Sequence, residues 1–213
     1  MEEIKDSGSP VWRFVLERAV HEFNNRVGGI LSVSDAHLSR RIENRELRES
    51  LNLIRDGAQA ASEFVVTMTD LLTAEDSGPE IMPLSDLRTY LLPKLRLFLP
   101  SRIRINAPAY PGDAVIRVNA KQLLFNLLAL LQSELSGEPP ASFVLELALK
   151  VERSIGWFIY RSTGGRMGTE HSEFCKNIFS KMRPSLSGLD IQEKSAELEV
   201  AVGLPVVKAA KLA

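Results

Sequence analysis

Leu51-Asn52-Leu53-Ile54-Arg55-Asp56-Gly57-Ala58-Gln59-Ala60-Ala61-Ser62-Glu63-Phe64-Val65 lies at the centre of a stripe that organises the first third of the chain. Leu47, Leu51, Ile54, Ala58, Ala61, Val65, Met68 and Leu72 are spaced alternately by four and three without a slip. That spacing keeps one apolar face turned toward a neighbouring helix at a shallow angle. Upstream, Leu16, Val20, Phe23, Val27, Ile30, Ser34 and Leu38 form a second stripe of threes and fours, behind a helix-starting Ser9-Pro10. The polar run from Arg40 to Arg45 marks a turn between them. Two such helices with a short connection form an antiparallel hairpin. A hairpin alone leaves much of its apolar surface wet. Pairing two copies into a four-helix bundle is the simple solution, and packing on the rest of the same chain is the alternative.

The remainder reads differently. Asp76-Ser77-Gly78-Pro79 is a linker, placing domains at 1–76 and 77–213. Leu84 to Leu99 is helical, with Pro93 set to kink or divide it. Arg102–Ile105 and Ala114–Val118 alternate like short strands, Gln122–Leu135 is a strongly apolar helix, and Phe143–Val151 and Ile155–Tyr160 are two further strands. Gly164–Gly203 reads as irregular or partly helical, and Val206–Leu212 as a short terminal helix. The expected class is therefore α+β: a helical hairpin, then a sheet with helices on one face.

Composition excludes several functions. The chain has 213 residues, 45% hydrophobic and 25% charged, with a formal net charge of −1. This balance offers no field for nucleic acid or an anionic membrane. The single cysteine, Cys175, forms no internal disulfide. No apolar run of membrane-spanning length occurs, and the polar start Met1-Glu2-Glu3 is unlike a signal peptide, so a cytoplasmic location is expected. No His/Cys/Asp/Glu cluster has metal-ligand spacing.

The chemistry-bearing segment is Ala19-Val20-His21-Glu22-Phe23-Asn24-Asn25-Arg26-Val27-Gly28-Gly29-Ile30. With the core stripe centred near Val20 and Val27, His21 lies roughly 120° away and faces outward. Asn25, Gly28 and Ser32 share its side. A glycine inside a helix costs about 1 kcal/mol against alanine, so two of them beside an exposed imidazole suggest room for a partner's close approach. A neutral imidazole is a nucleophile near neutral pH. Glu22 is placed to accept a ring N–H or act as a base, and Asn25 to orient an oxygen one turn on. His37 and His171 have no comparable context.

This segment resembles the phosphoacceptor box of two-component sensor histidine kinases, in the subgroup reading His-Glu-Phe-Asn-Asn. The resemblance implies that His21 accepts a phosphoryl group and exchanges it with an aspartate of a response-regulator receiver domain, with Glu22 and Asn25 assisting. It further implies a homodimer. Glu-x-x-Asn also matches the family's pattern for dephosphorylating receivers. Downstream, Val118 to Leu131 looks like that family's asparagine-bearing ATPase helix, but Leu130 stands where an asparagine holds Mg²⁺. Ser162 is the best match to the adenine-reading aspartate, and Gly203-Leu204-Pro205 to a remnant of the phosphate-cradling glycine loop. Gly164-Gly165-Arg166-Met167-Gly168 fits no known phosphate-loop spacing and reads as a turn.

The expected protein is thus a phosphorelay histidine phosphotransferase with a degenerate ATPase domain and no cofactor of its own, any Mg²⁺ coming with the receiver. A histidine kinase is a further possible partner. Three alternatives stay open: a pseudokinase adaptor, a response-regulator phosphatase, and a truncated histidine kinase.

Overall fold

The computed structural model describes residues 10–40, 42–100, 102–135, 143–164, 171–180, 182–194 and 197–207, with backbone alone at 10–19, 21, 22, 171, 183 and 194. The chain divides into two compact units, Met1–Thr73 and Ala74–Ala213.

The first unit holds two long helices, α1 (Pro10–Leu38) and α2 (Arg45–Leu72), which pack on each other. Asn44 caps α2, its side chain accepting a hydrogen bond from the Leu47 N–H at 3.1 Å. That satisfies one of the orphan donors of the first turn. The buried and half-buried stripe of α1 is Val20, Asn24, Val27, Leu31, Ser34 and Leu38. Phe23 and Ile30, expected in that stripe, are each 46% exposed. They stand on its shoulder, because a single neighbouring helix covers only a narrow arc of α1. On α2, Ala58 and Val65 are buried, but Leu47 and Ile54 of the same stripe are about half exposed.

The second unit is α+β. A two-stranded antiparallel sheet pairs β1 (Glu80–Pro83) with β3 (Val115–Val118). A five-stranded mixed sheet has the order β2-β4-β5-β7-β6, comprising β2 (Arg104–Asn106), β4 (Val144–Glu152), β5 (Ile155–Thr163), β6 (Gly188–Lys194) and β7 (Glu197–Pro205). β2 runs parallel to β4, and the other neighbours are antiparallel. Among the described residues, three α-helices, α3 (Leu84–Phe98), α4 (Ala120–Glu134) and α5 (His171–Ser180), and one turn of 3-10 helix (Arg183–Ser185) complete the unit. The alternating residues Leu198, Val200, Val202 and Leu204 of β7 and Phe158, Tyr160 and Ser162 of β5 are buried, together with Leu123, Leu127 and Leu130 of α4.

Three expectations are corrected. α3 passes through Pro93 undivided, since Leu84, Leu87, Leu91 and Leu95 form one fully buried stripe across it. Their packing outweighs the roughly 3 kcal/mol that an interior proline costs. The segment expected to be irregular or partly helical contains α5 and also two long strands, β6 and β7. The expected terminal helix begins instead with Val206 bridging Ile116, and its remainder, 208–212, lies outside the described residues.

Candidate functional site

His21 and Glu22 lie on α1, and their side chains are outside the described ones. Asn25, Gly28, Gly29 and Ser32 follow on the same helix, and all four are exposed. A methyl group added at Gly28 or Gly29 would meet nothing within 4 Å outside the local helix. Within its own unit, this part of α1 is open to an incoming molecule.

In the second unit, α4 starts at Asn119, whose side chain accepts the Gln122 N–H at 3.0 Å and donates to the Ala74 and Ser77 carbonyls. One turn on, the Gln122 Nε2 donates to Asn126 Oδ1 at 3.0 Å. Asn126 is buried, and its Nδ2 has no hydrogen-bond partner among the described residues. Leu130 has no exposed surface at all and belongs to the core. A leucine side chain offers no lone pair to a cation.

Ser162 is buried too, and its hydroxyl is committed. Ser162 Oγ donates to one oxygen of Glu134, and Tyr160 Oη donates to the other. Glu134 is fully buried at the last turn of α4. Burial pushes its carboxyl above the ordinary carboxylate range, against the opposing pull of the Ser162 and Tyr160 hydrogen bonds. Burial, with Glu134 beside it, drives the Tyr160 phenol well above its usual value. Cys175 of α5 is pushed up to about 12, by burial first and then by the nearby carboxylates of Glu134 and Glu193. Glu134 and Tyr160 were not singled out from sequence, and Cys175 was noted there only as a lone thiol. The available signal was a lone acid on the face of α4 that carries Leu123, Leu127 and Leu130.

Gly203-Leu204-Pro205 is not a loop. These residues pair with Trp157, Gly156 and Ile155 of β5 in turn, and Gly203 also pairs with Gly188 of β6. Gly203 is glycine because a Cβ there would come within 2.9 Å of the Gly188 backbone nitrogen. Backbone groups committed to a sheet ladder cannot cradle phosphates. In the expected turn, Gly164 has φ 84°, the left-handed region glycine favours, and Gly165–Gly168 lies outside the described residues.

A cleft of about 710 Å³ opens at the start of α4, lined by Arg117, Asn119, Gln122, Met182, Ser185 and Ser187 among others. Among the described residues, no group of three or more His, Cys, Asp or Glu side chains is arranged to hold a metal ion, and no helix is long and apolar enough to cross a membrane.

No protein-family model matches this chain, and no curated protein matches it. Solved structures do. The chain is similar to full-length ShkA in complex with AMPPNP, at 14% identity and a TM-score of 0.46, over 91% of this chain and 46% of that one. The Acinetobacter baumannii histidine kinase AdeS matches at 12% identity and a TM-score of 0.42, over 85% of this chain and 96% of that one. The ATP-binding domain of PrrB from Mycobacterium tuberculosis matches at 9% identity and a TM-score of 0.50, over 62% of this chain and all of the domain. The chain thus spans just under half the length of ShkA. The likeness to the PrrB domain extends to the fold: the chain contains a unit folded like a histidine-kinase ATP-binding domain.

Proposed function

We propose that this chain is a histidine phosphotransferase of two-component signalling, carrying a phosphoryl group on His21 without using ATP. The observation that carries the proposal is a combination within one chain. A His-Glu-Phe-Asn-Asn segment on a long helix precedes a unit folded like a kinase ATP-binding domain, and in that unit Leu130 and Ser162 are core groups. Leu130 cannot ligate Mg²⁺, and the Ser162 hydroxyl is held by Glu134, so neither is available to a nucleotide.

In this reading the His21 imidazole attacks the phosphorus of a receiver's phosphoaspartate. The P–O bond to the aspartate breaks, the carboxylate leaves, and the N–P bond forms. The reverse step loads the receiver. Glu22 holds the other ring nitrogen, Asn25 orients a phosphoryl oxygen, and the receiver supplies Mg²⁺. The open strip at Gly28 and Gly29 supports close docking. The exposed shoulders of α1 and α2, carrying Phe23, Ile30, Leu53 and Phe64, support a homodimeric four-helix bundle. The second unit acts as a docking wall, and the protein works in the cytoplasm.

The test mixes the protein with receiver domains carrying labelled phosphate. Acid-labile label on wild type, lost in His21→Ala, supports transfer. Release as free phosphate without labelling supports a phosphatase that uses Glu22 and Asn25, and no change supports an adaptor. A second reading, a nucleotide-binding piece of a kinase, is favoured by the 710 Å³ cleft, a size typical of small-molecule sites. Calorimetry with Mg-ATP separates the two: a dissociation constant below about 1 mM, or about −4.1 kcal/mol, selects the kinase.

A further inference from the structure

Glu134 is a fully buried acid whose two oxygens accept hydrogen bonds from Tyr160 and Ser162 of β5, with Cys175 of α5 close by. Among the described residues, the interactions that act on its carboxyl are burial first and then these two hydroxyls. On α4 itself, Lys121 lies thirteen residues away, which is about 20 Å along a helix axis. On α3, which packs on α4, Arg88 and Arg96 bond the carbonyls of Ala107 and Ile103, Lys94 stacks on Tyr90, and Asp86 is exposed. On β5, Arg161 is taken by Glu146 and Glu199. On α5, Glu173 and Lys176 are exposed, and β6 brings Asp190 and Glu193.

α5 has only ten residues and packs against α4 and β6. Two fully buried side chains, Cys175 and Phe179, one turn apart, anchor it. An isolated helix that short is not stable in water, so its seating depends on the surface beneath it. That surface belongs in part to α4, and Glu134 of α4 is near enough to act on the Cys175 thiol.

We propose that Glu134 is a proton-sensitive latch for α5: as the neutral acid it lets α5 seat, and as the carboxylate it favours lifting of α5, which admits water to the buried charge. The sign follows from burial. A carboxyl disfavoured as an anion in the closed state stabilises that state fully below its ordinary titration, near 4.5, and the stabilisation is lost as pH rises through the higher closed-state value. The inference concerns the second unit and stands whether or not His21 carries phosphate.

Cys175 is the only cysteine in the chain and is buried on α5, so it reports the opening directly. The experiment follows the reaction of Cys175 with a dithiodipyridine probe in the full chain between pH 4.5 and 8. Each rate is divided by that of the same protein in denaturant, which removes the intrinsic pH dependence of the thiol. In wild type the ratio should climb with pH, by at most about tenfold per unit for a single linked proton. In Glu134→Gln it should be flat. A flat wild-type ratio, or an unchanged slope in Glu134→Gln, overturns the latch. Ser162→Ala provides a second arm should Glu134→Gln not fold. Removing a donor to the carboxylate should carry the rise on to higher pH with its onset unchanged, and an upper end that does not move overturns the proposal.

Discussion

Leu130→Asn puts an amide at the one position of α4 where the kinase family resemblance implies a Mg²⁺ ligand. If Leu130 faced an open nucleotide pocket, the substitution would be nearly neutral for folding and would improve metal binding. The structure implies the opposite. Leu130 is fully buried, so the change removes a complete leucine burial, about 1.5–3 kcal/mol. It also leaves an amide without hydrogen-bond partners in the core, at a cost of about 1–3 kcal/mol. Together these give about 2.5–6 kcal/mol, a large share of the roughly 5–15 kcal/mol that holds a domain folded. Leu130→Met keeps the volume and should cost less than about 1.5 kcal/mol. Urea unfolding followed by Trp157 fluorescence, in a Trp12→Phe background, reads the second unit alone. A Leu130→Asn protein as stable as wild type, with a newly measurable affinity for Mg-ATP, would refute the reasoning and place Leu130 on a pocket wall.

Other expectations separate the roles of neighbouring residues. Ile54→Asp should convert a dimer to a monomer in light scattering while helicity is kept, because Ile54 is 50% exposed in the single chain; a dimer that persists would count against the bundle. Val65→Asp should instead unfold the first unit, by several kcal/mol, because Val65 is 6% exposed and a charge there is buried within the α1–α2 seam; circular dichroism decides. His21→Ala should abolish acid-labile labelling by phosphorylated receivers with no loss of helical signal, and undiminished labelling would identify another acceptor. At pH 8 the Cys175 thiol, fully buried and with its ionisation pushed upward by that burial, should react far more slowly in the native protein, where α5 must open first, than in denaturant. Equal rates would show that the thiol is not buried.

Much of this molecule was legible in local pattern. The two long helices and the turn before Arg45 follow from 3.6-residue periodicity and from polar residues within a few positions of each other. The same holds for β3, α4, β4 and β5. The His21 segment carries its signal in residue types and spacing, and the structure adds that it lies on α1. The segment after Gly164 was not. Gly188, Gly203 and Pro205 read locally as loop punctuation, yet Gly203 sits within β7 because the backbone of β6 leaves no room there for a Cβ. That requirement is a non-local pairing, invisible to a window of neighbours.

Burial was likewise settled by tertiary structure. Periodicity placed Phe23 with Val27 and Ile54 with Val65, but helix packing covered only one member of each pair. The same limit applies to chemistry. Sequence alone determined that Leu130 and Ser162 depart from a nucleotide-binding pattern. Only the packed sheet and helices decided that Ser162 meets Glu134, a residue twenty-eight positions away, because the end of α4 lies over β5. A residue type states which bonds it can make, and the bonds it does make depend on which distant residues folding brings within about 3 Å.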